Sequence, residues 1–158
     1  MAIHSTAKTR IYIGTTAPKA TVATYAADTW TEILALTEIG EFGPEAAEIP
    51  VKFVNSGYVG RRKGTIDSGA LEVVCARDPL DAGQDKARLA AEDPLPYNIK
   101  IVLPDAGSGT GAKATTFYFS AVVLSAKTRF NDADSLTESV FNLGVDGAIL
   151  EDPATAGT

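Results

Sequence analysis

Residues 115–130, TTFYFSAVVLSAKTRF, constrain the fold more than any other segment of the chain. Read as a strand, they place Phe117, Phe119, Ala121 and Val123 on one face and Tyr118, Ser120, Val122 and Leu124 on the other. A strand that is apolar on both faces needs cover twice, once from a core and once from something else. A sheet-built fold is therefore the first expectation.

The rest of the chain supplies further strands. Residues 10–14 (RIYIG) form a short β-branched and aromatic run, and residues 30–39 (WTEILALTEI) read as a strand between breakers. In residues 70–76, Leu71, Val73 and Cys75 share one face, with Glu72 and Val74 on the other. Ile99, Ile101 and Leu103 line one side of residues 97–103. Residues 136–143 alternate again, Gly144 to Gly147 read as a turn, and residues 148–150 form a last short run. A single helix is predicted over residues 81–93. Asp81 caps it, Gln84 sits three positions later as in a capping box, and Pro94 and Pro96 bar its continuation. About seven to nine short strands and one helix make the predicted class mainly β, an antiparallel sandwich or barrel with a flanking helix. At 158 residues this is one domain, 1–158.

Three stretches do not fit a compact barrel. Residues 1–9 read as a polar N-terminal arm and residues 151–158 as a flexible polar tail. Residues 40–69 hold six glycines and two prolines around two short apolar pieces, 49–54 and 58–59. A loop this long is uncommon unless it has a task, and the expectation is that a partner chain orders it. Phe42, Ile49, Val51, Phe53, Tyr58, Arg61, Arg62 and Lys63 are the candidate interface residues. The basic run Arg61–Arg62–Lys63 stands out in a chain of net charge −6, and it suits a head-to-tail contact with the acidic surface of an identical neighbour.

Chemistry is not expected. The one histidine, His4, lies in the polar arm with nothing to fix it as a base, and Cys75 reads as a small buried hydrophobe within a strand. No Cys/His set suits zinc. Residues 107–113, GSGTGAK, depart from the phosphate-loop pattern because Ala112 follows Gly111, and they join two strands. Residues 131–135 lack the glycine and the bidentate glutamate of a calcium loop. No cofactor and no metal are expected. The acidic balance argues against tight nucleic-acid binding, and no apolar run is long enough for a signal peptide or a membrane span.

The order of Trp30-Thr31-Glu32-Ile33, Glu38-Ile39-Gly40-Glu41-Phe42-Gly43, Arg62-Lys63-Gly64-Thr65-Ile66-Asp67-Ser68-Gly69, Asp81-Ala82-Gly83-Gln84, Tyr97-Asn98-Ile99-Lys100-Ile101 and the strand 117–125 resembles the major tail tube proteins of long-tailed bacteriophages. The resemblance spans about residues 9–150. It implies a β-sandwich or barrel that forms hexameric rings stacked into a tube, with a negatively charged lumen through which genome DNA passes without specific binding. It also implies a virion component assembled in the host cytoplasm. Its partners would be itself, tail tip or baseplate, tape-measure and tail terminator proteins. Glu72 and Glu138, each on a strand among apolar neighbours, are candidate lumen carboxylates. The inner tube of a contractile tail or secretion device remains an alternative, as does a monomeric barrel that binds a ligand inside.

Overall fold

The computed structural model describes residues 3–158. Nine strands and two helices follow in the order β1 (Arg10–Ile13), α1 (Val22–Ala26), β2 (Thr31–Ile33), β3 (Leu36–Ile39), β4 (Glu45–Lys52), β5 (Val59–Asp67), β6 (Ala70–Ala76), α2 (Ala82–Glu92), β7 (Tyr97–Val102), β8 (Thr116–Arg129) and β9 (Glu138–Asp152). Seven strands form one antiparallel sheet in the order β2-β1-β7-β8-β9-β6-β3, and β4 and β5 pair only with each other.

That order forces the sheet to curl. Strands β2 and β3 lie at its two edges, yet only Leu34 and Ala35 separate them in sequence. Three Cα–Cα steps reach about 11 Å at most, so the edges must come together and the sheet rolls into a barrel. Ala35 makes the break between them, with φ of +58°, in the left-handed region few residues with a side chain adopt. The single strand expected over residues 30–39 is therefore two strands at opposite edges.

Helix α2 seals the seam. Asp81 accepts from the backbone N–H groups of Gly83 and Gln84 at its N-terminus and also from Leu34 N–H at 3.0 Å. The predicted cap is present, but Gln84 does not complete a capping box. Its fully buried side chain donates to the carbonyls of Leu34 (3.3 Å) and Ala76 (2.9 Å) and accepts from Asp78 N–H, tying the helix to the β2–β3 link and to the end of β6. Gly83 lies directly on β2: a Cβ there would run into the Glu32 carbonyl and come within 2.8 Å of Ile33 Cα. Ala87 and Ala90 complete the buried face, small enough for the helix to sit close.

Alternation fills the interior. Ile11, Ile13, Ile33, Leu71, Val73, Cys75, Ile99, Ile101, Phe119, Ala121, Val123, Phe141 and Leu143 form one buried cluster. Register aligns them in layers, with Ile11 opposite Ile33 and Ile101, Val73 opposite Phe141, and Val123 opposite Leu143. Cys75 is buried here, and burial, with a smaller push from Asp81, raises its thiol to about 11, as befits an inert core side chain.

The outer face of the long strand gets its second cover from the chain itself. Residues 15–30 fold back over β7 and β8. Tyr25 stacks on Tyr118 with centroids 5.6 Å apart, and Trp30 lies 6.2 Å from the same ring. Lys100 points its ammonium over Tyr12 (4.2 Å) and Trp30 (5.0 Å). A half-buried carboxylate pins this flap: Asp28 accepts from Asn98 Nδ2 (2.8 Å), Thr15 Oγ1 (2.8 Å) and Thr15 N–H (3.2 Å). Helix α1, within the flap, is a second helix where one was expected. Its five residues are too few to show a period, and a Thr21–Thr24 capping box holds it.

Two further expectations change. The turn read at residues 144–147 is not a turn, since β9 runs unbroken through it for 15 residues. The register shift opposite Tyr118–Ser120 absorbs the extra residues, and Gly147, at φ +87°, supplies the left-handed backbone of that bulge. The tail expected to be loose is zipped to the loop after β7. Lys113 and Thr155 exchange backbone hydrogen bonds, as do Thr110 and Thr158, and Gly157 N–H donates to Ser108. Glycines on both sides permit it, because a Cβ on Gly109 would press on Gly157 at 2.8 Å.

Candidate assembly surface

Strands β4 and β5 turn the predicted loop 40–69 into a hairpin. Glu45 pairs with Asp67 at its base and Lys52 with Val59 near its tip. Residues 53–58 close it, Ser56 Oγ accepting from Tyr58 N–H, and a bulge between Ala46 and Glu48 bends it. Pro50 has no N–H to give a third strand, which suits a ribbon with two free edges. Glu48 and Arg61 pair across it at 2.8 Å, but both side chains are largely exposed, so the pair contributes less than about 1 kcal/mol.

This hairpin packs substantially against no other element, and almost every residue of it is open to solvent. An isolated two-stranded ribbon is only marginally stable in water. Ile49, Phe53, Val54, Tyr58, Val59 and Ile66 nevertheless spend apolar surface on it, Tyr58 at 88% exposure. Among them stand Lys52, Arg61, Arg62 and Lys63. Residues 48–63 carry four basic side chains against Glu48 alone, a net of +3, which leaves −9 on the rest of the chain.

The candidate interface residues thus divide. Ile49, Val51, Phe53, Tyr58, Arg61, Arg62 and Lys63 all lie on the hairpin. Phe42 does not: it packs edge-on to Phe117 (5.4 Å between centroids) and tilted against Phe119 (5.5 Å), closing the end of its own barrel. A glycine-rich context hid that role, since Phe42 has no alternation around it to mark it as core.

Glu72 and Glu138 share one outward face of the β6–β9 pair but stand apart on it, Glu72 opposite Asn142 and Glu138 opposite Ala76, four residues further along β6. Glu72 is exposed. Glu138 is half-buried and bonded to Arg129 at 3.2 Å, so its charge is largely answered within the chain. His4 is exposed, and no group of three or more His, Cys, Asp or Glu among the described residues is placed to hold a metal. No helix among them is long and apolar enough to cross a membrane.

The fold recurs in solved tube assemblies. The SPP1 tail tube, determined by solid-state NMR and cryo-EM, superposes with a TM-score of 0.66 at 18% identity over 92% of this chain and 76% of that one. The sheath/tube terminator of the extracellular contractile injection system PVC gives 0.67 at 13% identity over 95% and 96%. A tail subunit of the empty gene transfer agent particle, refined with C6 symmetry, gives 0.65 at 12% over 94% and 98%. These likenesses establish the tail-tube fold for the chain. No protein-family model and no curated protein matches its sequence.

Proposed function

We propose that the chain is a structural tube subunit, assembling as stacked rings into the tail tube of a virion, and that it carries no catalytic activity. The observation that carries this reading is the hairpin β4–β5, a basic and apolar ribbon that no other element among the described residues covers. A surface of that kind is completed by another copy, and the tube assemblies that share the fold supply a precedent for self-packing. In this reading rings of six copies enclose an acidic conduit, and terminator, tip and tape-measure proteins bound the tube.

A monomeric ligand-binding barrel is disfavoured by the interior. Phe119, Phe141, Leu71 and the isoleucines of β1 and β7 fill it, all buried. Between a phage tail and a contractile injection device the fold does not choose, since both share it.

Electron microscopy of the purified protein at rising concentration tests the proposal. Hollow filaments are expected from the intact chain. A variant in which a short glycine linker replaces residues 45–67 should keep the barrel's cooperative unfolding and yield no filaments. Filaments from that variant, or a solitary intact chain at every concentration, would overturn the reading.

A further inference from the structure

The hairpin β4–β5 and the β8–β9 turn leave the barrel at opposite ends of β6. The base of the hairpin leads through Gly69, at φ +77°, into Ala70, whose partner on β9 is Gly144. Six residues later Ala76 pairs with Glu138, and Arg77 N–H donates to Thr137 at the β8–β9 turn. The length of β6 sets these two ends about 20 Å apart.

The far end carries a second exposed apolar patch, of opposite charge. Three large apolar side chains stand out of it with nothing over them: Leu80 (91% exposed) ahead of α2, and Phe130 (81%) and Leu136 (66%) in the β8–β9 turn. The Arg77–Thr137 bond and the contact of Arg77 with Thr128 Oγ1 (2.8 Å) hold the two loops side by side. Residues 77–81 and 129–138 together hold five acidic side chains against two basic ones, a net of −3. Asp132 and Asp134, in the turn, are exposed. Charge and apolar character are thus the complement of the hairpin tip, whose net is +3 and whose apolar members are Phe53, Val54 and Tyr58.

We infer that the tip of the β4–β5 hairpin docks on the Leu80–Phe130–Leu136 end of the next copy of this chain, with Arg61, Arg62 and Lys63 set against Asp132 and Asp134. The inference rests on the tube reading and deepens it by naming the receiving surface. Donor and receiver lie at different places on the chain, so the contact is heterologous and repeats without closing on a pair, as the growth of a tube requires. The apolar residues supply the burial, and the charges fix which end meets which.

Reciprocal charge reversal tests it. Arg61→Glu/Arg62→Glu/Lys63→Glu should raise the concentration needed for assembly at least about tenfold, and so should Asp132→Lys/Asp134→Lys, each variant keeping the circular dichroism of the parent. Combining the five substitutions in one chain should restore assembly, an outcome that general damage to the fold cannot produce. A combined variant that stays unassembled overturns the inference, as a nucleic-acid role for the basic tip would require; so do single reversals that assemble normally. A second readout is covalent. Oxidised Ser56→Cys/Ser135→Cys chains should form a ladder of linked subunits, while either cysteine alone should not, and Cys75 is buried in the barrel interior. A double-cysteine chain that assembles without giving this ladder removes the receiving surface but leaves the tube reading standing. An intact chain that never assembles removes both.

Discussion

Gly83 shows how much a single position can decide here. It is a helical residue, and glycine in a helix ordinarily costs about 1 kcal/mol relative to alanine. At this site the missing side chain is what lets α2 rest on the backbone of β2, because a Cβ would collide with the Glu32 carbonyl. Gly83→Ala should therefore destabilise the protein by about 3 kcal/mol, against the propensity gain, with backbone shifts at the seam. Chemical unfolding of the unassembled variant measures this, and a stability at or above the parent would contradict the close packing. Gln84 beside it is the same lesson in polar form. Its amide answers two carbonyls, one in the β2–β3 link and one at the end of β6, so its burial leaves no orphaned group.

Among the elements, the flap over β7 and β8 is held by one carboxylate. Desolvation raises the pKa of Asp28, but the hydrogen bonds from Asn98, Thr15 and Thr29 outweigh it and bring the group to about 2. A carboxylate depressed in the folded state adds stability that is fully present above its unfolded pKa, near 4, and is lost as pH falls through the folded value. The loss should thus develop between about pH 4 and pH 2, on the order of 1–2 kcal/mol after allowance for partial exposure. Asp28→Asn should remove that component from the pH dependence and loosen the flap, raising Trp30 quenching by solvent. An unchanged acid profile would mean that Asp28 does not latch it. Gly14 belongs to the same device, since a Cβ there would meet Asp28 Oδ2 at 2.6 Å.

For the whole molecule, the uneven placement of charge matters more than its total. The +3 of the hairpin region and the −9 of the remainder give the subunit a polarity suited to head-to-tail growth. They also leave an acidic face on β6 and β9, which we propose lines the conduit. Glu72 is the cleaner probe of that face, because Glu138 is already paired with Arg129. Glu72→Lys should leave tubes intact while slowing DNA passage by about tenfold, since phosphates would be held where they had been repelled. Ejection kinetics of particles carrying the variant would show it, and parental kinetics would take Glu72 off the lumen.

Local pattern was enough to place most strands and the long helix. Alternation with a period of two marks β6, β7 and β8 in the sequence, and Asp81, Pro94 and Pro96 bound α2 on their own chemistry. The apolar and basic character of the interface candidates from Ile49 to Lys63 was equally plain, being composition. What the sequence could not decide was which surfaces meet. The split of residues 30–39 into two sheet edges, the flap that covers Tyr118, the continuity of β9 through Gly144 and Gly147, and the turning of Phe42 into its own core are all contacts between residues far apart in the chain. Each is chosen by the closure of the barrel as a whole, and closure leaves no local mark because its energy exists only once the distant edges are side by side.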